Sequence, residues 1–264
     1  MPVALPEHRR PRVAIHKFSS CDGCQLALLN LGEGLLEMAE HVEFVHFAEM
    51  GPVDEDAEVD IALVEGSIAT PHEIHRIASI RAKSRFLIAL GACATSGGIQ
   101  ALRNTANAPA WVSNIYARPE YIETLDRAVP LSQHVHIDFE LWGCPVNARQ
   151  VLGTIRDLMS GVTPKHERDK VCIQCKRLGR VCVLVAKGMP CMGPVTRTGC
   201  GVLCPTQGRD CYGCYGPAER ANGASLAKRF AMMGLSHRDV ARRFGSINSN
   251  AEAFAPLAKD GGRD

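Results

Sequence analysis

The sequence predicts a doubly wound α/β domain followed by a small cysteine-rich region, and three observations carry that expectation. Short apolar runs of β type alternate with stretches of helical period over roughly the first 160 residues, which argues a parallel sheet covered on both faces. Four cysteines, Cys21, Cys24, Cys93 and Cys144, fall just after the ends of those runs. The remaining eight lie within 43 consecutive positions, where periodicity disappears and glycine, proline and cysteine dominate. Residues 1–165 are therefore expected to form the α/β domain, and 166–264 a second, irregular domain with a C-terminal helical tail.

The expected strands are Val13 to Phe18, Val42 to Phe47, Ile61 to Val64, Phe86 to Leu90 and Val135 to Leu141. Leu28, Leu31, Leu35 and Met38 recur at helical spacing after the first. Thr70-Pro71-His72-Glu73 reads as a capping box with proline at the first helical position, and Ile74, Ile77 and Arg81 continue that helix. The stretch from Arg103 to Leu131 reads as a helix-bearing insertion. Five strands of this kind point to the flavodoxin-like member of the doubly wound class, whose ligands gather at the carboxyl ends of the strands. Burial as a small hydrophobe explains any one of the first four cysteines. It does not explain why all four follow strand ends.

Twelve cysteines divide into three sets of four, and four thiolates satisfy a tetrahedral metal ion or a four-iron cubane. Cys172, Cys175, Cys182 and Cys191 are spaced C-x2-C-x6-C-x8-C; Cys200, Cys204, Cys211 and Cys214 are spaced C-x3-C-x6-C-x2-C. Disulfides belong to secreted chains, and the N-terminal MPVALPEHRRPR has no apolar signal core. Arg9-Arg10 begins no export signal, since no hydrophobic stretch follows it. Metal is thus the expectation, in a cytoplasmic protein. Zinc ribbons also use C-x2-C pairs, so zinc stays open on spacing alone. Cys204-Pro205 and the glycines flanking Cys200 and Cys214 favour iron–sulfur. The cysteine-rich stretch is expected to build no apolar core of its own and to depend on bound metal for its fold. Thirty basic residues against 28 acidic ones leave a net charge of +2, and no basic patch is interleaved with aromatics, which argues against a nucleic-acid partner.

Six stretches in order carry a resemblance to a known family: Ser20-Cys21-Asp22-Gly23-Cys24, Val64-Glu65-Gly66-Ser67-Ile68, Gly91-Ala92-Cys93-Ala94, Gly143-Cys144-Pro145, Cys191-Met192-Gly193-Pro194-Val195-Thr196, and Cys211-Tyr212-Gly213-Cys214-Tyr215-Gly216-Pro217. Over nearly its whole length the chain resembles the small subunit of nickel–iron hydrogenases. CDGCQLALLNL and GACATSGGIQALRN make it most like the delta subunit of cytoplasmic, NAD(P)-linked sulfhydrogenases. The resemblance implies an electron-transfer subunit holding three [4Fe–4S] clusters. The proximal cluster would lie on Cys21, Cys24, Cys93 and Cys144, the distal on Cys172, Cys175, Cys182 and Cys191, and the medial on Cys200, Cys204, Cys211 and Cys214. An interleaved arrangement, in which one cysteine of each later set serves the other cluster, is the alternative grouping. The implied partners are a nickel–iron large subunit, which holds the catalytic site, a flavin/NAD(P)-binding subunit and a further iron–sulfur subunit. Two positions depart from membrane-associated relatives: Cys172 stands where they use histidine, and Cys204 where a proline commonly leaves a three-iron cluster.

Glu65 reads either as a solvated or capped carboxylate or, by resemblance, as a residue of the large-subunit interface on a proton path. His72 and His75 read as a surface pair, and His134 and His136 as sharing one face of the fifth strand. Arg103 and Asn104 follow the Cys93 helix toward the same interface. Ser236 reads as a helix N-cap, and Lys228, Arg229, Arg242 and Arg243 as solvated cations. Two readings compete with the hydrogenase subunit: the cluster-bearing subunit of respiratory NADH dehydrogenases, similar over the first domain only, and a zinc-stabilised binding module.

Overall fold

The computed structural model describes residues 9–165 and 169–259. The chain divides into two compact units, Met1–Lys165 and His166–Asp264.

Unit one is built on five parallel strands, β1 (Arg12–Lys17), β2 (Glu43–Phe47), β3 (Val59–Glu65), β4 (Ser84–Leu90) and β5 (Phe139–Leu141), in the order β2-β1-β3-β4-β5. That is the flavodoxin-like order, with the chain reversing direction across the sheet beside β1. Val13 lies opposite Ile61, Val64 opposite Ala89 and Leu90 opposite Leu141. The central strand β3, VDIALVE, is buried at every position, as a strand covered on both faces must be.

Helices α1 (Gly23–Leu29), α2 (Glu33–His41), α3 (Pro71–Lys83), α4 (Gly91–Ser96), α5 (Ala108–Ile115) and α6 (Ala148–Met159) complete the unit. Leu28, Leu35 and the Val151–Ile155–Leu158 stripe are buried on α1, α2 and α6, and Leu28 and that stripe pack with Val13, Ile15, Ile61 and Leu63 on one face of the sheet. Ile77 and Ile80 of α3 pack with Ala14, Ala62, Val64 and Leu87 on the other. The helical period from Leu28 to Met38 belongs to two helices: Gly32, with φ of +55°, turns the chain between them. The capping box at α3 is complete, Thr70 Oγ1 accepting from Glu73 N and Glu73 Oε2 accepting from Thr70 N.

The fifth strand is shorter than the apolar pattern from Val135 implies. Asp138 takes over the ladder: its carboxylate accepts from Leu87 N at 2.7 Å and pairs with Arg81 at 2.5 Å. A side-chain acceptor in place of a backbone carbonyl ends the regular pairing there. His134 and His136 consequently share no strand face; both lie before β5 and are exposed. His72 and His75 are exposed on α3.

Unit two holds α7 (Val171–Arg177), α8 (Val183–Ala186), α9 (Leu203–Thr206), α10 (Gly223–Met232), α11 (His237–Phe244) and α12 (Ala255–Ala258). Val171, Val183, Met192, Val195 and Val202 of the cysteine-rich stretch are buried. They are single residues at helix starts and in loops, so no period announces them. Phe230, Phe244 and Phe254 form a second buried group, with Phe244 and Phe254 edge to face at 5.6 Å. Ser236 caps α11 by accepting from Asp239 N. Arg243 departs from expectation: it pairs with the buried carboxylate of Asp210 and lies over the Tyr212 ring, tying α11 to the cysteine loop.

Candidate metal centre

In a parallel sheet all carboxyl ends lie along one edge, and here the loops after β1, β4 and β5 bring Cys21, Cys24, Cys93 and Cys144 to that edge. Cys24 is the second residue of α1, Cys93 lies in α4, and Cys144 follows β5, joined to Pro145 by a cis peptide. The loops are tied to one another, with Ala92 N donating to Gly143 O at 2.7 Å. Gly91, with φ of +81°, could carry no side chain, because a Cβ there would overlap the Cys24 sulfur. A Cβ at Gly98 would come within 2.6 Å of Cys93 Sγ. The backbone is thus drawn in close against the sulfurs.

Glu65, at the end of β3, secures the first of these loops. Its Oε1 accepts from Cys24 N and its Oε2 from Gln25 N, each at 3.1 Å, so one carboxylate caps the start of α1. It is 2% exposed and therefore not a solvated group. Burial raises its pKa, and the two amide donors oppose the rise. Arg103 donates to Leu125 O, while Asn104 donates to Ala128 O at 2.7 Å and accepts from Ala128 N at 2.9 Å. These two residues pin the insertion after α4 in place.

The thiols sense one another. Burial pushes Cys93 up to about 11, with the charges of Cys144 and Cys21 adding to it. Cys24 is driven higher still by burial, then by Glu65, and Cys144 is raised by burial and by Cys21. Burial and mutual charge oppose ionisation of Cys24, Cys93 and Cys144, and a bound cation would offset both, as in a thiolate metal site. Amide donors already reach two of them: Val146 N–H to Cys24 and Ile99 N–H to Cys93.

In unit two, Cys172 is raised to about 11 by burial and then by Cys191, Cys182 and Cys175. Cys175 in turn feels Cys182 and Cys191. A Cβ at Gly193 would stand 3.4 Å from both Cys172 Sγ and Cys191 Sγ. Cys204 is raised by burial and by Cys200, and Cys211 by burial, Cys191 and Cys214. Cys191 adjoins the last set as well: its sulfur accepts from Cys211 N at 3.2 Å. Asn248 Nδ2 donates to Gly213 O at 2.9 Å, holding the Cys211–Cys214 turn from the far end of the chain. Neither Asn248 nor Asp210 carries a sequence signal, since no spacing links them to the cysteines.

Among the described residues, no three His, Cys, Asp or Glu side chains are close enough to share one metal ion. A tetrahedral zinc needs four donors at about 2.0–2.3 Å from a common centre. In a cubane each thiolate meets its own iron, and a donor set of sulfurs alone suits an iron–sulfur group.

The family model for the 20 kDa subunit of NADH ubiquinone oxidoreductase matches residues 21–158, spanning all four cysteines of unit one. The chain belongs to this family. It is similar to the sulfhydrogenase 2 subunit delta of Pyrococcus furiosus, 33% identical over 207 residues that cover 78% of this chain and 86% of that one. A vhu subunit of the F420-non-reducing hydrogenase of Methanocaldococcus jannaschii is 30% identical over 269 residues, covering 90% and 93%. In a solved NAD+-reducing [NiFe]-hydrogenase in the H2-reduced state, one chain matches with a TM-score of 0.55 and 26% identity, over 60% of this chain and 96% of that one. A [NiFeSe]-hydrogenase chain of Dm. baculatum matches in fold, with a TM-score of 0.58 at 16% identity over 82% and 98%. The relatives are hydrogenase subunits, and this chain is a component of that kind of oxidoreductase. No helix among the described residues is long and apolar enough to cross a membrane.

Proposed function

We propose that the chain is the iron–sulfur electron-transfer subunit of a cytoplasmic nickel–iron hydrogenase. It would relay electrons between a nickel–iron large subunit and a flavin/NAD(P)-binding partner, with a further iron–sulfur subunit in the assembly. The observation that carries this reading is the gathering of Cys21, Cys24, Cys93 and Cys144, from three separate loops, at the carboxyl edge of one sheet. Those four would hold a proximal [4Fe–4S] cluster. Cys172, Cys175, Cys182 and Cys191 would hold a distal one, and Cys200, Cys204, Cys211 and Cys214 a medial one.

Bound at these thiols, such a group supplies a one-electron couple with little change in structure. The chain's own residues do the rest. Glu65 fixes the start of α1 and hence Cys24. The Val146 and Ile99 amides donate to cysteine sulfur, as do Cys211 and Gly213 in unit two. Such hydrogen bonds stabilise the more negative state and so raise the potential. All-cysteine ligation works in the opposite direction.

The family match alone would also suit a cluster subunit of an NADH dehydrogenase-type complex. The eight cysteines beyond residue 158, outside the matched span, favour the hydrogenase reading. Contact between Cys191 and Cys211 keeps the interleaved grouping as a second arrangement of the last two clusters. Anaerobically purified protein is expected to be brown and to contain about twelve irons and twelve acid-labile sulfides per chain. A colourless, zinc-bearing protein would refute the reading, and a count near eight irons would remove one cluster.

A further inference from the structure

Helices α2 and α6 border an open cleft of about 470 Å³ in unit one. That volume lies within the roughly 300–1,000 Å³ of small-molecule sites. Each helix turns one face to it. Gly34, Glu37, Met38 and His41 stand at i, i+3, i+4 and i+7 on α2. Arg149, Leu152, Gly153 and Arg156 repeat that spacing on α6. Among the described residues no cysteine lines the cleft, so thiolate chemistry plays no part in it.

The apolar part of the lining is aliphatic. Met38 and Met159 are partly buried against the core beneath, and Leu152, also partly buried, lines the cleft with them. Thioether side chains adapt to flexible chains. Among the described residues no aromatic side chain lines the cleft, so no ring is there to stack on a nucleobase. Two guanidinium groups line it as well. Arg149 and Arg156 lie seven residues apart, roughly 10 Å along the axis of α6. Both are exposed, and neither is in an ion pair among the described residues. Glu37 is the one carboxylate set against them in that lining. Gly153 keeps the cleft open. It sits in the middle of α6, where glycine is a poor helix former, and its φ is not left-handed. A Cβ there would meet nothing within 4 Å. Neither the backbone nor close packing calls for glycine, and the missing side chain leaves room in the cleft.

We propose that the cleft between α2 and α6 binds an anionic amphiphile: one aliphatic chain against Met38, Leu152 and Met159, with its carboxylate or phosphate head held by the arginines that line it. Burying the chain supplies affinity in proportion to its length. The guanidinium fork meets a carboxylate or phosphate bidentately and fixes the head. An uncharged chain lacks the second contribution and a short acid the first, so both parts of the ligand are needed. Binding here is independent of what the cysteines hold.

The test uses the full-length protein, purified anaerobically, and decanoate below its micelle concentration, with the dissociation constant measured by calorimetry. Decyl phosphate replaces decanoate in a second series; saturable binding of either supports the proposal, and the tighter of the two names the head. Butyrate and decyltrimethylammonium should each bind about tenfold more weakly or worse. The pair Arg149→Gln and Arg156→Gln is expected to weaken decanoate binding by about tenfold or more. Gly153→Leu, which fills the cleft, should abolish binding while helical circular dichroism and melting temperature are kept; the arginine pair decides the matter if that variant does not fold. Arg118→Gln, at an exposed position outside the cleft, should bind as the parent does. Absent saturable binding, equal affinity for decyltrimethylammonium, an equal loss from Arg118→Gln, or parental binding by a folded Gly153→Leu would overturn the proposal. So would tighter binding of adenosine monophosphate, or of phosphatidylglycerol vesicles, than of the soluble amphiphiles.

Discussion

Glu65 shows what one buried carboxylate can organise. Two amides at the start of α1 have no other acceptor, and the carboxylate that takes both comes from a strand 40 residues further on. Removing it leaves two buried donors unsatisfied. Glu65→Ala is expected to cost about 2–3 kcal/mol and to lower iron retention at the Cys21–Cys24 site. Glu65→Gln, which keeps one acceptor oxygen, should lose roughly half as much. Thermal denaturation followed by circular dichroism, together with iron analysis, checks both, and an Ala variant with parental stability and full iron would show that the cap is dispensable. The residue stood out in the sequence because it ends a strand beside the cysteines. Its grip on α1 did not, since a capping contact across 40 residues leaves no mark on local spacing.

At the level of elements, patterns of local origin were readable and those of distant origin were not. The Thr70–Glu73 box lies within one turn, so its residues sit at fixed spacing and the helix start follows from them. The Gly32 break and the early end of β5 depend on neighbours: on the turn that joins α1 to α2, and on Asp138 bridging Leu87 and Arg81. The same is true of α11. Its charged sequence reads as solvated, yet Arg243 faces the cysteine loop because Asp210, 4% exposed, needs a counter-charge. Arg243→Ala strands that carboxylate and is expected to destabilise unit two by about 3–4 kcal/mol. Pairing it with Asp210→Asn should recover most of the loss. A double variant no more stable than Arg243→Ala alone, in the same melting assay, would show that the pairing is not what holds α11.

On the scale of the whole molecule, stability should depend on pH through a group that plays no part in the candidate centre. His16 and His46 are stacked at 4.5 Å and both are buried. Burial, then the neighbouring His46 and Arg76, lowers the pKa of His16 from 6.5 to about 3. Between those values the unfolded chain binds a proton that the folded chain refuses. Stability is therefore lost as pH falls, by about 1.4 kcal/mol per unit for a fully buried site. His46 shifts in the same direction, chiefly through burial, and adds to the loss. Denaturant melts at about pH 7 and pH 5 should show a steeper fall in the parent than in His16→Gln; equal slopes would rule out His16 as the source. The sequence by itself determined the α/β alternation, the number of strands in unit one, and the position of Cys21, Cys24, Cys93 and Cys144 after strand ends. Those features rest on side-chain period and on residues close together along the chain. Only the tertiary structure decided the early end of β5 at Asp138, the hold of Glu65 on Cys24, and the lock between Arg243 and Asp210. Each of these brings together groups far apart in sequence, where burial and charge, rather than spacing, select the partner.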